Sequence, residues 1–314
     1  YVGRLVVEFD ENGNIITGSI DENVSGAFAT DEQGVLDVTG AATLEDAIAA
    51  SETATTVQNL TQAVTDVVTD LDGDIAGEAT VFLNGSRTSV RTEETNFGNL
   101  TADANLAAAQ EFDPEVAVSI KNGGGIRASI GELVDNGDGT SSLLPTAANP
   151  LSSKEAGEIS ELDIDNALRF DNDLVVVDLT PEELKIVLEH AVSATEPGAT
   201  PGQFPQVGGL SFSFDPEGTA PVLNEDGTVA TEGTRIKNVV LIDEDGNPTQ
   251  RVITDGEVAP TAPDSIKVVT LDFLAGGGDG YPFSAFSDVT DVGIGEQEAL
   301  SGFLTENFPE DGED

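Results

Sequence analysis

Apolar residues recur in two rhythms along this chain. Gly3-Arg4-Leu5-Val6-Val7-Glu8-Phe9 partly alternates, a polar stretch Asp10-Glu11-Asn12-Gly13-Asn14 follows, and Ile15-Ile16-Thr17-Gly18 returns. That pattern predicts strand, turn, strand. Residues to about Gly40 read as loosely organised. Thr43-Leu44-Glu45-Asp46 can open a helix with Thr43 as its cap. Val57, Leu60, Val64, Val67, Val68 and Leu71 then recur at steps of three and four until Asp72-Gly73-Asp74 stops the pattern. Many threonines lower the intrinsic helicity here, so packing has to hold this helix.

From Ala79 the rhythm changes and a larger domain is expected. Ala79 to Leu83 reads as a strand with a turn at Asn84-Gly85. Asn96-Phe97-Gly98-Asn99 leads into a helix with Leu100, Ala104, Ala107 and Ala108 on one small-residue face. Val116 to Ile120 and Leu174 to Leu179 are continuous apolar runs, predicting buried strands. Asp135 to Gly139 is a polar turn. Thr180-Pro181-Glu182-Glu183 is a capping box with Pro at the first helical position, and Leu184, Val187, Leu188 and Ala191 follow as the buried face. Leu210-Ser211-Phe212-Ser213-Phe214 alternates strictly. Val239 to Ile242 and Ile266 to Leu271 are further strands, and Ala299, Phe303 and Leu304 suggest a last short helix. Strands mixed with helices over this length predict an α/β or mixed α+β fold. The expected organisation is residues 1–40, a linker helix over 41–73, and a main domain over 74–314.

Charge adds a constraint. The chain of 314 residues has 59 Asp+Glu against 12 Lys+Arg, a formal net charge of −47. At about 1 M salt the Debye length is about 3 Å, so such a carboxylate coat is tolerable, and the composition points to a halophile. The scarcity of Lys and Arg excludes an extended nucleic-acid-binding stripe. No transmembrane run or signal peptide is evident. There is no Cys, and the lone His190 rules out a multi-histidine metal site. His190 reads as a solvated or capping residue of its helix. A start at Tyr1 suggests a processed chain or part of a longer one. Acidic loops at Asp10-Glu11-Asn12, Asp70 to Asp74 and Asp243 to Asn247 lack the Gly and Glu spacing of a calcium loop and read as acidic turns.

Against this background the basic residues stand out. Arg87, Arg91, Lys121 and Arg127 fall in one stretch that ends Asn122-Gly123-Gly124-Gly125-Ile126-Arg127. Guanidinium forks suit a phosphate or carboxylate. Three glycines after an apolar run suggest a strand end that turns sharply or lies close to a ligand. A glycine turn with arginines pairing to nearby carboxylates fits the same residues, and residue chemistry alone leaves both readings open. A second glycine cluster, Phe273 to Tyr281, also follows a strand. Phe273 can stack on a planar ring and Asp279 can accept from hydroxyls, but taken alone the cluster fits better as a hairpin loop with one core Phe. Phe170-Asp171-Asn172 precedes a strand, a common place for ligand contacts.

Taken in order, Arg87-x-x-x-Arg91, Thr95 to Leu100, Asn122 to Arg127, Phe170-x-Asn172, Gly202 to Gly209 and Phe273 to Tyr281 resemble the C-terminal domain of the 5′-nucleotidase family over about residues 79–308. The opening Tyr1-Val2-Gly3-Arg4-Leu5 resembles the closing hairpin of that family's N-terminal metallophosphoesterase domain. The resemblance implies that Arg87, Arg91 and Arg127 hold a substrate phosphate with Asn122 beside them. It further implies that Phe170 and Phe273 sandwich a nucleobase, and that Asn172, Gly202 and Asp279 line the base and ribose site. Two divalent metals are expected in the N-terminal domain and none in this chain. That domain is then the partner, a nucleotide the ligand, and the periplasm or the outside of the cell the location. By itself the chain is expected to be inactive. Alternatives are a cyclic-phosphodiesterase, UDP-sugar hydrolase or thiosulfate-ester hydrolase relative, or a non-catalytic surface or matrix binding protein that kept the fold. Two departures stand out. The family usually has Pro-Phe-Gly-Asn where this chain has Arg169-Phe170-Asp171-Asn172, and Val134 to Ser153 is longer than usual.

The charge makes one prediction. Thermal melts from low to molar salt should rise steeply as repulsion is screened. A flat profile would refute the halophile reading.

Overall fold

In the computed structural model, residues 1–224, 227–286 and 288–309 are described, so the last residues of the expected main domain lie outside them. The chain divides into two compact units, Tyr1–Val68 and the remainder from Thr69.

In the first unit, β1 (Val2–Arg4) pairs antiparallel with β2 (Gly26–Phe28). The predicted hairpin survives only as a single Phe9–Ile15 bridge around the Asp10 turn, whose carboxylate accepts from the backbone of Asn12 and Asn14. The segment expected to be loose carries α1 (Glu32–Thr39), capped by Asp31 and closed by Gly40 in the left-handed region. Thr43 caps as expected, but its helix α2 (Leu44–Ala49) stops at Ala50, and α3 (Glu52–Gly73) starts afresh. The stripe Val57, Leu60, Val64, Val67 and Val68 is exposed, so this helix is not held by packing along that face.

The second unit begins with β3 (Ile75–Glu78), four residues before the predicted strand, and Ala79–Leu83 contributes only a Leu83–Ile130 bridge. Then come α4 (Asn96–Phe112), capped by Thr95, and β4 (Val116–Asn122). A hairpin of β5 (Glu132–Asp135) and β6 (Ser141–Leu144) turns at the predicted Asp135–Gly139 loop. Next are β7 (Glu158–Ser160), paired with β3, then α5 (Glu161–Ala167), β8 (Asp173–Leu179) and α6 (Pro181–Ala191) with its capping box formed. The chain goes on through β9 (Pro205–Gly208), β10 (Leu210–Phe214), the small pair β11 (Val222–Leu223) and β12 (Val229–Thr231), β13 (Ile236–Ile242), β14 (Pro248–Thr254) and β15 (Glu257–Val258). It closes with β16 (Ile266–Leu271), α7 (Asp272–Ala275), β17 (Thr290–Gly295) and α8 (Glu296–Asn307). The class is mixed α/β.

The sheet that matters for function has five strands in the order β17-β8-β16-β4-β9, and a second has the order β10-β13-β14-β15. Only β16 and β4 run parallel, and their neighbours oppose them. The register Leu271↔Leu174, Asn122↔Pro205 and Gly295↔Asp173 therefore brings six chain segments to one end of the sheet. These are the ends of β4, β16 and β17, the starts of β8 and β9, and the start of α8. One core joins this sheet to α6, with Val118, Ile120, Val177, Leu184, Leu188 and Val268 almost wholly buried. A second core under α4 and α8 contains Phe97, Ile126, Ile159, Leu168 and Leu300.

The end of α3 is fastened by a buried polar clasp. The Asp72 carboxylate accepts from Lys154 Nζ (3.0 Å), Asn149 Nδ2 (2.7 Å), Ser152 Oγ (2.8 Å) and Ser160 Oγ (2.9 Å), and Lys154 also pairs with Asp163. The run Asp70 to Asp74, read as an acidic turn, is thus a helix end carrying a structural anion. Burial works against ionisation of Asp72, but those donors prevail and lower its pKa from 3.8 to about 2. A carboxyl held low in the folded state contributes fully above pH about 4 and loses its contribution as pH falls from there towards 2. Asp72→Asn should then cost on the order of 2 kcal/mol at pH 7 and little at pH 2. Urea unfolding at the two pH values checks this, and an equal penalty at both would assign the effect to shape instead of charge.

Candidate nucleotide site

The end of β4 builds one wall. Gly123 donates to Phe204 O (2.7 Å) and Gly124 to Gly202 O (2.8 Å), which draws the segment before β9 alongside. The glycine run does not use left-handed backbone. It is needed for closeness: a Cβ on Gly123 would lie 1.8 Å from Val90 O, and one on Gly124 2.9 Å from Gly202 O. Gln206 of β9 donates from Nε2 to Val90 O (3.0 Å) and Glu93 O (2.9 Å), pinning the turn that carries Arg91.

Arg91 is 8% exposed; its Nη1 donates to Thr200 O (3.4 Å) and its Nε has no partner. Burial and the neighbouring charges of Arg87 and Arg127 lower its pKa, and Asp279 partly opposes them. The three arginines thus lie within electrostatic reach of one another. Among the described residues none of the three has a carboxylate at ion-pair distance, although the chain holds 59 acidic residues and Lys121, Lys154, Lys237 and Lys267 all pair. That sets aside the reading of arginines pairing with local carboxylates. Lys121, grouped with the arginines in the sequence, belongs elsewhere: it is fully buried against Glu296.

The second glycine cluster forms the opposite wall. Asp279 sits in the left-handed region (φ 50°), between Gly277 and Gly280 that do likewise. Its Oδ2 accepts from Asn122 Nδ2 (2.6 Å), and Asn122 Oδ1 is buried without a partner. Gly202 is where this wall meets the arginines, since a Cβ there would lie 3.1 Å from Asp279 Oδ2 and 3.6 Å from Arg91 Nη1. Behind the loop, Tyr281 donates its hydroxyl to Gln203 O (2.6 Å), and burial raises the pKa of that phenol. His190 is no solvated helix residue. Its Nε2 lies 2.9 Å from Asp279 O, and since a carbonyl can only accept, Nε2 carries the proton. Its ring meets Tyr281 edge-on at 5.2 Å, and burial favours the neutral form. Nothing in the sequence announced this prop, because its partner lies 89 residues away.

The aromatic rings stand at the mouth. Phe170, three residues before β8, is 59% exposed, and Phe273, two residues after β16, is 46% exposed, so neither is a core residue. No ring contact joins them among the described residues. The Arg127 guanidinium lies 5.5 Å from the Phe170 ring centre, a cation–π distance. Asn172 faces Glu296, to which it donates from Nδ2 (2.8 Å). Arg87, Arg91, Asn122, Arg127, Phe170, Gly202 and Asp279 are thus linked by contacts or shared fields. Phe273 shares only the sheet end with them, and Asn172 joins through Glu296.

Residues 75–288 match the family described as 5'-nucleotidase, C-terminal domain. The chain belongs to that family. It is 34% identical over 226 residues to the trifunctional nucleotide phosphoesterase protein YfkN of Bacillus subtilis, covering 72% of this chain and 12% of that one. It is 26% identical to human 5'-nucleotidase over 90% of this chain and 39% of that protein. Among solved structures, the 5'-nucleotidase precursor from Thermus thermophilus superposes with a TM-score of 0.57 at 26% identity, over 96% of this chain and 46% of that one. This chain therefore spans less than half the length of these relatives.

The departure at Asp171 now has a shape. Asp171 takes φ 44°, the left-handed conformation that a glycine adopts freely. Burial raises its carboxyl pKa, opposed by the backbone N–H of Gln297. The turn is kept without its glycine. Asp171→Val should cost about 1–2 kcal/mol, because a β-branched residue resists this backbone, and Asp171→Gly should not. Thermal melts in molar salt compare them. Equal stability of the two variants would show that the turn is not strained.

Proposed function

We propose that this chain is the substrate-binding part of a metal-dependent phosphoesterase of the 5′-nucleotidase type, acting on nucleoside monophosphates or related nucleotides. One observation carries the reading. Among the described residues, in a chain of net charge −47, three arginines converge without carboxylate partners, beside two exposed aromatic rings at one sheet end. Arg87, Arg91 and Arg127 grip the phosphate through bidentate, contact-range bonds, since molar salt screens anything longer. Phe170 and Phe273 take the two faces of the base. Asp279, turned by Asn122, accepts from ribose hydroxyls through its free oxygen. Arginines so placed favour charge building on the phosphoryl oxygens during hydrolysis.

The metals this chemistry calls on are not assigned to residues of this chain. Among the described residues no three His, Cys, Asp or Glu side chains are grouped to hold an ion. We assign them to an N-terminal metallophosphoesterase domain of the same gene product, and no step is routed through them here. By the family resemblance the work is done in the periplasm or outside the cell, and the acid-rich composition assigns the protein to a halophile. Among the described residues no helix is long and apolar enough to cross a membrane.

Titration with AMP and adenosine in molar salt tests the division of labour. Arg127→Ala should lose about 1.5–3 kcal/mol for AMP, the worth of a hydrogen bond to a charged group. For adenosine it should lose no more than the ring brace, about 0.5–1 kcal/mol. Lysine at 127 should rescue only part, keeping charge but not the fork. Phe170→Ala and Phe273→Ala should each lose about 1–3 kcal/mol for both ligands. Equal losses for AMP and adenosine in Arg127→Ala would remove the phosphate role.

A further inference from the structure

The largest buried charge pair in the main unit lies under the site and has no part in the reading above. Lys121 Nζ and Glu296 Oε2 are 2.8 Å apart, with both side chains fully buried. Lys121 directly precedes Asn122 on β4. Glu296 opens α8 directly after β17, the edge strand on the other side of the same sheet. Its second oxygen, Oε1, accepts from Asn172 Nδ2 (2.8 Å) and, at 3.4 Å, from Asn172 N. Its own N–H donates to Asn172 O (2.9 Å). One carboxylate thus ties the strand behind the phosphate side to the turn that carries Phe170.

A pair buried this completely is a poor device for stability alone. Apolar side chains of similar volume would serve as well, since desolvation of the two ions offsets much of their attraction. What the ion pair does supply is direction. Glu296, ionised beside Lys121, can only accept, so the amide of Asn172 has to present Nδ2 to it. Phe170 needs such an anchor. Its ring is exposed and braced only by Arg127, and Asp171 between them holds a left-handed backbone.

We propose that Glu296 is a positioning residue for nucleotide binding: the carboxylate oxygen that Lys121 does not engage fixes Asn172 and so aims the Phe170 ring at the base. The consequence for a ligand rests on the reading of Phe170 as a base platform. The aim of the ring in the empty protein does not.

The test uses the full chain in molar salt, with 4-fluorophenylalanine at position 170. Lys121→Met/Glu296→Gln removes both charges but keeps an oxygen for Asn172. Lys121→Met/Glu296→Leu removes that oxygen too. Without ligand, the fluorine resonance of the first variant should match the parent, and that of the second should move towards the free amino acid. Calorimetry should show the second variant binding AMP and adenosine about tenfold more weakly or worse, by the same factor for both, within the range for one stacked base. The first variant should stay within about threefold of the parent, a difference of less than one hydrogen bond. An unmoved fluorine line in the Leu variant overturns the proposal, as does a loss for AMP but not adenosine. If Phe170→Ala leaves adenosine binding unchanged, the base-platform reading falls, and the fluorine line alone judges the role of Glu296. If the Leu variant does not fold, Asn172→Ala takes its place. It leaves both charges paired and must move the same line, and failure to do so overturns the proposal.

Discussion

Three guanidinium groups held near one another without counter-ions are the costly feature of this structure. Burial and mutual repulsion both disfavour the charge on Arg91, and no carboxylate among the described residues closes to ion-pair distance. Of the three only Arg91 is buried, while Arg87 and Arg127 are exposed, so the cluster has to be kept open chiefly at Arg91. The fold manages it by occupying the nearest anion. Asp279, the carboxylate that Arg91 feels, is bonded to Asn122 and its backbone to His190. An anion that arrives from solution therefore meets guanidinium groups whose partners among the described residues are backbone carbonyls, Thr200 O for Arg91 and Gly124 O for Arg127.

The sheet makes this placement possible. Alternation of direction around the parallel pair β4 and β16 carries loops distant in sequence to one end. Cross-links among those loops then set distances. Gly124 bonds to Gly202, Tyr281 to Gln203, Gln206 to Val90, and Asn172 to Glu296. Each link joins a phosphate-side segment, a base-side segment or the scaffold beneath them. A displaced strand would thus disturb both halves of the site together.

Much of this was legible in the sequence, and what escaped shares a cause. The buried strands, the capping box at Thr180 and the alternation at Leu210 are local signals, and they stand where the pattern put them. The ordered series of motifs identified the family, because each motif is short and contiguous. Failures were of two kinds. Polar anchors such as Lys121, Glu296, Asp72 and His190 have partners 77 to 175 residues away, beyond any periodicity, so the sequence groups Lys121 with the arginines, reads Asp72 as part of an acidic turn and His190 as a solvated or capping residue, and does not single out Glu296. The first 68 residues misled in another way. Their apolar positions form a helical stripe in α3 that stays exposed, so amphipathic spacing predicted packing that the described structure does not show.

Strain tells which of these features the site needs. Four residues other than glycine take positive φ among those described, and two of them, Asp171 and Asp279, lie in the loops that carry Phe170 and the second glycine cluster. Left-handed backbone costs an L-residue about 1–2 kcal/mol unless the surroundings enforce it. Both positions are enforced by side chains from elsewhere in the fold. Asn122 and His190 grip Asp279, while Glu296 grips the residue after Asp171. Strain concentrated in two loops, each fastened by a buried polar group, means that the loops hold their shape before a ligand comes. Where salt screens long-range attraction, that readiness is what the loops themselves contribute to the capture of a ligand.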